Sequence, residues 1–458
     1  MAGPPGVPRL SRRARLNAWL AHPARVVVTG FAVAVAVSTA LLMLPAAAED
    51  GTRTGFVDAL FTATSAVCVT GLTAVDTPTH WSAFGELVIL GSIQVGGLGT
   101  MSLATLIALA VARRISLRMR LVAQAETKHA GPSDLRRMLT AIAGTALAVE
   151  AATATVLAAR FAAGYDVAPG RAVYLGVFHA VSAFNNAGFA LFSDNLMGFV
   201  ADPWICLPIA AAVIIGGIGF PVLLEVRRVL GGTRAWSTHA RITLGGTAVL
   251  IAGGTLLVTA LEWSNPGTLG PLPGPAKLLA GFFHGVMPRT AGFNSLDMAA
   301  MQPDTLMVTN ILMFVGGGSA GTAGGVKITT AAILLLGVWN EIRGHRDVTI
   351  ARRRIPEAVY RQALAVVALG LSLVSCAVIV LLSVTPYALS QVLFEAVSAF
   401  GTVGLSTGIT YDLPPVAELV LTLLMFTGRL GPLTLGAALA LRMRTRRYDL
   451  PEERPIIG

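Results

Sequence analysis

Four twelve-residue segments carry the chemistry that can be read from this chain. The stretches 61–72 (FTATSAVCVTGL), 178–189 (FHAVSAFNNAGF), 282–293 (FFHGVMPRTAGF) and 394–405 (FEAVSAFGTVGL) align without a gap. Each has a Phe ten residues before a Gly, a small or β-branched residue before that Gly, and Leu or Phe after it. A cation leaving water inside a membrane needs oxygen ligands, and rings of backbone carbonyls supply them without net charge. Turning successive carbonyls inward requires dihedrals that residues with a Cβ adopt reluctantly, which is what one Gly per segment provides. The expected donors are Val69, Thr70 and Gly71; Asn186, Ala187 and Gly188; Thr290, Ala291 and Gly292; and Thr402, Val403 and Gly404. These triplets contain no carboxylate, which disfavours calcium or magnesium and favours a monovalent ion. A single such Gly would read as a helix C-cap. Four copies in register argue against that.

The elements that must position these loops follow from composition. The chain of 458 residues is 54% hydrophobic and only 13% charged, with mean hydropathy +0.70, too few polar groups to cover a soluble surface of that size. Apolar stretches of the roughly 20 residues a spanning helix needs recur at about 25–46, 85–112, 138–161, 204–226, 241–261, 304–340, 360–384 and 416–441, which reads as eight spans. Each glycine segment lies between two of them. A dozen helical residues reach roughly 18 Å, short of a hydrocarbon core of about 30 Å, so each segment must enter and leave on one side. The predicted fold is an all-α polytopic membrane protein with four span, pore loop, span repeats around one ion pore, the glycines recurring at about a quarter of the chain.

The formal net charge of +10 does not point to nucleic acid. The basic residues sit in every second loop: Arg9, Arg12, Arg13 and Arg15, then Arg113 to Arg120, Arg227 to Arg234, Arg343 to Arg354 and Arg442 to Arg447. That alternation sets membrane orientation, with both termini cytoplasmic and a multi-pass chain in the cell membrane. The segments divide as a cytoplasmic N-terminus 1–24, repeat 1 over 25–112, a cytoplasmic loop 113–137, repeat 2 over 138–230, repeat 3 over 231–344, a loop 345–357, repeat 4 over 358–443 and a cytoplasmic tail 444–458. The end of the first span, Leu44 to Ala48, mimics a signal-peptide cleavage site, but its apolar run is longer than the usual roughly 7 to 15 residues, and a retained helix is expected. Cys68, Cys206 and Cys376 are far apart in apolar surroundings and suggest packing rather than disulfides or metal ligation.

Small residues also mark each second span: Gly96 to Gly99, Gly216 to Gly219, Gly316 to Gly325 and Gly428 to Gly431. Close helix packing is the competing explanation for the first two. The third differs, because the run 304–340 would reach near 55 Å as one helix while its centre reads GGGSAGTAGG. So glycine-rich a stretch is a poor helix, and irregular backbone at membrane depth is tolerated only where it is buried in protein or lines a water-filled cavity. An irregular loop inside the pore is expected there.

These residues resemble the Trk/Ktr/HKT superfamily of potassium transporters, most closely the KtrB-type membrane subunit, over nearly the whole chain. The resemblance rests on Val69 to Leu72, Pro288 to Asn294, Gly316 to Lys327 and Phe426 to Gly431. It implies a pseudo-fourfold pore with potassium at the filter residues; the sequence leaves open whether sodium activates the pore or is cotransported, and no covalently bound cofactor is expected. It also implies a gating loop formed by Gly316, Gly317, Gly318, Ser319, Gly321, Thr322, Gly324 and Gly325, faced by Arg429. A homodimer on a cytoplasmic ring of nucleotide-binding regulatory subunits is implied by the resemblance alone. The chain itself has no phosphate-binding loop, since Lys327 follows Val326 rather than Gly. The second filter, with Asn185 and Asn186, is more polar than the other three and departs from their pattern.

Arg429 inside a span costs about 2.5 to 3.5 kcal/mol near the centre on a translocon scale, so it is expected to hold the Gly316 to Gly325 loop through its carbonyls. Arg289 and Asp297 flank the third filter and are expected to support that loop. His179 and His284 lie on the pore segments one position out of register, which disfavours a metal site. Glu150 has no evident partner, and Glu395 no evident role. The basic residues at 113–137 and 343–354 and the tail are candidate docking surfaces or solvated flanks. A sodium-coupled secondary transporter with broken helices is the rival reading, but its repeats are usually two and often inverted. An enzyme would need a convergent nucleophile, acid, base or metal cluster, which the sequence does not display.

Overall fold

The structure, a computed structural model, describes residues 23–102, 132–232, 236–345, 349–350 and 353–441. The N-terminal arginines, the basic segment 113–120, the distal part of the predicted span 85–112 and the tail 444–458 lie outside the described residues. Helices account for almost all of the regular structure. They run α1 (Pro23–Leu42), α2 (Phe56–Val67), α3 (Ala83–Ser102), α4 (Pro132–Gly164), α5 (Pro169–Phe184), α6 (Pro203–Ile218) and α7 (Phe220–Leu230). After these come α8 (Thr238–Glu262), α9 (Gly274–Val286), α10 (Pro303–Phe314), α11 (Ile328–Ile342), α12 (Glu357–Val384), α13 (Leu389–Gly401) and α14 (Pro415–Leu441). A two-residue strand pair, Thr349–Ile350 with Arg353–Arg354, lies between α11 and α12.

Among the described residues α1, α3, α4, α8 and α12 are long and apolar enough to cross a membrane. The short helices α2, α5, α9 and α13 precede the four glycine segments, each shorter than the roughly 20 residues a span requires. Their apolar faces are buried: Phe61, Phe178 and Phe394 are sealed in the interior, while the equivalent Phe282 is half-buried. Helices from successive groups pack on one another, α6 on α9, α10 on α13, and α14 on both α1 and α2. Side chains join the first group to the second: Tyr174 on α5 donates to Glu86 on α3. The chain therefore closes on itself, its last described helix against its first.

Helix α4 begins at Pro132, where proline at the first helical position is favourable, and its membrane-length apolar stretch begins at Met138, where the second repeat was expected to start. One predicted span needs correction. The stretch 204–226 was expected to be one span, but it bends by 101° at Gly219, between α6 and α7. Gly219 has φ of +98°, and a Cβ there would stand 2.5 Å from the Ser319 carbonyl.

The bend makes room for the segment 315–327, which separates α10 from α11. The last-turn carbonyls of α6 have no intrahelical partner, and the intruding segment supplies donors: Gly318 N to Gly217 O at 2.8 Å and Thr322 N to Gly216 O at 3.2 Å. In return Phe220 N donates to Ala320 O at 3.3 Å. Within the segment Gly316 N bonds Val326 O at 2.8 Å and Ile328 N bonds Gly317 O at 3.1 Å. Non-helical backbone at this depth is thus satisfied by protein, the condition under which it is tolerated.

Candidate ion pathway

Each short helix ends just before its glycine segment. The unsatisfied carbonyls at a helix C-terminus carry partial negative charge, and here four such ends converge: Val67, Phe184, Val286 and Gly401. Beyond them the backbone repeats one conformation four times. Val69, Asn186, Thr290 and Thr402 have φ of 55°, 60°, 71° and 49°, and two residues later Gly71, Gly188, Gly292 and Gly404 have 94°, 71°, 74° and 97°. Left-handed backbone at every second position departs from both helix and strand. For β-branched Val69, Thr290 and Thr402 it is a strained state held by the surroundings.

The four segments touch in a closed cycle. A Cβ on Gly71 would stand 3.1 Å from the Cα of Gly188, one on Gly188 would stand 2.9 Å from that of Gly292, one on Gly292 3.1 Å from that of Gly404, and one on Gly404 3.0 Å from that of Gly71. In every case the nearest atom is the carbonyl oxygen just before the neighbouring glycine, on Ala187, Ala291, Val403 and Thr70 in turn. Glycine is therefore required twice, for its dihedral and for the approach of the next segment. Val69, Thr70, Asn186, Ala187, Thr290, Ala291, Thr402 and Val403 are all buried.

The segments are tied back to their own helices. Thr70 N donates to Ser65 O at 2.8 Å, Ala187 N to Ser182 O at 2.7 Å, Val403 N to Ser398 O at 2.9 Å, and Ala291 N to Met287 O at 3.0 Å. Ser65 and Ser398 also accept from Gly71 N and Gly404 N through Oγ, at 3.0 and 3.1 Å. These serines were missed on the sequence, although Ser65, Ser182 and Ser398 occupy one register position of the repeat.

On one side of the ring the segment 315–327 lies against it. Thr322 Oγ1 is 3.0 Å from Asn186 Oδ1, Gly316 stands against Thr290, and Gly324 against Thr402. Arg429 on α14 donates to the Thr322 carbonyl and, at 3.0 Å, to Thr100 Oγ1 on α3. The second, third and fourth repeats thereby meet this segment directly, and Arg429 links it to the first. Arg289 donates to Thr247 O at 3.2 Å and Gly316 O at 3.5 Å, so it ties its own glycine segment both to α8 and to the glycine-rich segment. Lys327, half-buried, donates to Ala323 O.

On the other side opens a polar vestibule of about 210 Å³, lined by Gly71, Gly188 and Gly404 and by Asp76, Asp194 and Asp297. Asp297 is exposed and accepts from Ala299 N at 2.9 Å, so its bond shapes the descending turn. The walls are braced from equivalent positions of two repeats. His179 Nε2 accepts from Leu191 N at 3.3 Å, and Glu395 Oε1 accepts from Thr407 N at 2.9 Å; each accepts from the residue twelve places on. Glu395 also accepts from Ser406 and Thr410 hydroxyls at 2.7 and 2.8 Å, which gives it the role its sequence position did not reveal. His284 pairs with Thr309 Oγ1 at 3.1 Å. Glu150 does have partners, Gln94 and Asn185, each at 3.2 Å.

Short helices re-entering from one side, a closed ring of glycine backbone and an irregular segment beneath it define an all-helical polytopic membrane protein built around a pathway. A family model described as TrkH, cation transport protein, matches residues 6–445, and the chain belongs to that family. It is 41% identical over 415 residues to the Ktr system potassium uptake protein B of Bacillus subtilis (strain 168), covering 90% of this chain and 92% of the relative. It is 35% identical over 435 residues to the protein of the same name from Vibrio alginolyticus, covering 95% and 94%. The potassium/sodium uptake protein NtpJ of Enterococcus hirae is 35% identical over 446 residues, covering 95% and 97%. The fold is that of the crystal structure of the potassium transporter TrkH from Vibrio parahaemolyticus, with TM-score 0.71 at 17% identity, covering 92% of this chain and 84% of that one.

Proposed function

We propose that this chain is the ion-translocating membrane subunit of a Ktr-type potassium uptake system. The observation that carries the reading is the closed cycle of glycines, in which each carbonyl before a filter glycine meets the glycine of the neighbouring repeat. Carbonyls of residues 69–71, 186–188, 290–292 and 402–404 replace the hydration shell of potassium, and the four helix C-termini favour a cation over an anion. The segment from Gly316 to Gly325 is the gate, closed by Arg429 through the Thr322 carbonyl. The word system in the names of the Ktr relatives supports work with a further subunit, which we take to be a cytoplasmic nucleotide-binding regulatory ring beneath a homodimer of this chain. The basic loops support cytoplasmic termini. The potassium/sodium name of the Enterococcus relative keeps sodium in view as activator or second permeant ion.

The test is potassium-limited growth and rubidium uptake in cells lacking their own potassium importers, with and without a Ktr-type regulatory subunit. Wild-type chain is expected to restore both, and Gly71→Ser and Gly292→Ser to weaken uptake or admit sodium, since a side chain there meets the next repeat's backbone. Uptake indifferent to both glycines would instead favour a coupled transporter with broken helices.

A further inference from the structure

The second filter segment carries Asn185 and Asn186 where the other repeats have Cys68 and Val69, Arg289 and Thr290, and Gly401 and Thr402. The structure sends the two amides in opposite directions. Asn186, at φ of +60°, lies 3.0 Å from Thr322 Oγ1, and with its nitrogen on that side it also donates to Val213 O at 3.2 Å. Asn185 turns away from the pathway. Its Nδ2 is 2.7 Å from Gln94 Oε1, 3.2 Å from Glu150 Oε1 and 3.0 Å from Val181 O. Gln94 Nε2 closes the triangle, 3.2 Å from Glu150 Oε2. Both carboxylate oxygens of Glu150 are thus engaged by amides, one from α3 of the first repeat and one from the end of the second pore helix.

An ionisable residue in the interior of an apolar span such as Met138–Gly164 is expensive to place there and marks a functional position by default. The register of the repeat says which function. The residue three places before each filter glycine is Cys68, Asn185, Arg289 or Gly401, and each suits what lies behind its loop. Arg289 reaches back to Thr247 on α8, the first helix of its own repeat, as Asn185 reaches back to Glu150 on α4. At Gly401 there is no side chain, and a Cβ there would stand 2.7 Å from the Met313 carbonyl oxygen. In the second and third repeats this position ties the loop to the first helix of its own repeat.

We propose that Glu150, together with Gln94, is a positioning residue for the second filter loop and thereby sets its discrimination among monovalent cations; this rests on the reading of the loops as a potassium filter. Asn186 is a non-glycine residue in left-handed backbone, a state that persists only where neighbours over-determine it. The Glu150 triangle holds the residue before it, and Thr322 holds its own side chain. Removing the triangle frees Asn185 to turn, which moves the Ala187 carbonyl against which Gly71 is packed.

The experiment measures rubidium uptake against excess sodium, together with sodium uptake, for wild type, Glu150→Leu, Glu150→Gln and Gly71→Ser at matched membrane abundance, with the regulatory subunit present. Loss of hydrogen bonds to a carboxylate predicts a fall of about tenfold or more in rubidium over sodium preference for Glu150→Leu. Glu150→Gln, which keeps an acceptor oxygen, is expected to retain most of the preference. An unchanged preference in Glu150→Leu while Gly71→Ser alters it overturns the proposal and leaves the filter reading standing. If Glu150→Leu fails to insert, Gln94→Leu breaks the triangle without touching α4 and decides the matter by the same readout. No uptake by wild type, or a Gly71→Ser variant identical to wild type, overturns the filter reading and this inference with it.

Discussion

Arg429 and Thr322, separated by 107 positions in the chain, are joined by a hydrogen bond from guanidinium to backbone carbonyl. The same guanidinium reaches Thr100 Oγ1 at 3.0 Å, so one side chain of the fourth repeat links the third repeat's intramembrane segment to the first repeat. Both partners are buried, Thr322 completely. A hydrogen bond to a charged group contributes about 1.5 to 3 kcal/mol, and every 1.4 kcal/mol is about a factor of ten in an equilibrium. Arg429→Ala is therefore expected to raise the open fraction by about tenfold or more. Rubidium influx without the regulatory subunit should rise towards the level seen with it. Influx that stays low and still responds to the regulatory subunit would remove Arg429 from the gate.

The seat of that segment depends on the bend at Gly219. Alanine there would carry a Cβ 2.5 Å from the Ser319 carbonyl in an extended conformation of positive φ, φ 98° and ψ 140°, that is essentially restricted to glycine and costs other residues about 1 to 3 kcal/mol. Gly219→Ala is expected to loosen the segment, lowering the thermal midpoint of the detergent-solubilised protein and raising basal rubidium flux. Gly245→Ala, where nothing stands within 4 Å, should leave both unchanged and serves as the control.

The location of the loops was legible because the repeat is spelled out four times, and repetition turns an ambiguous glycine into a pattern. The break between α10 and α11 was legible from glycine content, since ten residues reading GGGSAGTAGG cannot support a span. The break at Gly219 was not, because Gly216 to Gly219 resembles ordinary small-residue packing, and only the intruding segment that takes up the α6 carbonyls distinguishes it. Glu150 and Glu395 were unreadable for a related reason. Their partners, Gln94 and Asn185 for the one and Ser406 to Thr410 for the other, are brought near by the packing of repeats or by the turn beyond the filter, and no spacing rule within a helix connects them.

The serines beneath the filter yield a graded test. Ser65 and Ser398 each accept from a glycine N–H of the ring, on adjacent members of the four-segment cycle. Replacing either by Ala leaves a half-buried donor without its acceptor, at a cost of about 0.5 to 1.5 kcal/mol. Each single variant should modestly reduce the preference for rubidium over sodium, and the double variant should reduce it further than either. A double variant with wild-type preference would show that the backbone bonds from Thr70 and Val403 suffice by themselves.

The vestibule makes a separate prediction about rate rather than selectivity. Asp76, Asp194 and Asp297 line one mouth, and Asp76 is held in place by Thr79 and Ser193 hydroxyls at 2.6 and 2.7 Å. Carboxylates around a confined mouth raise the local concentration of cations, an effect that salt screens over roughly 8 to 10 Å at ordinary ionic strength. Asp194→Asn and Asp297→Asn, combined, should lower rubidium uptake by a few fold at micromolar rubidium in low-salt medium. The deficit should shrink as choline chloride is added and vanish at saturating rubidium, while preference over sodium stays as in wild type. A deficit that persists at saturation would place these carboxylates in the conduction step itself, and an unaltered low-salt rate would show that the field at the mouth is set by the filter carbonyls instead.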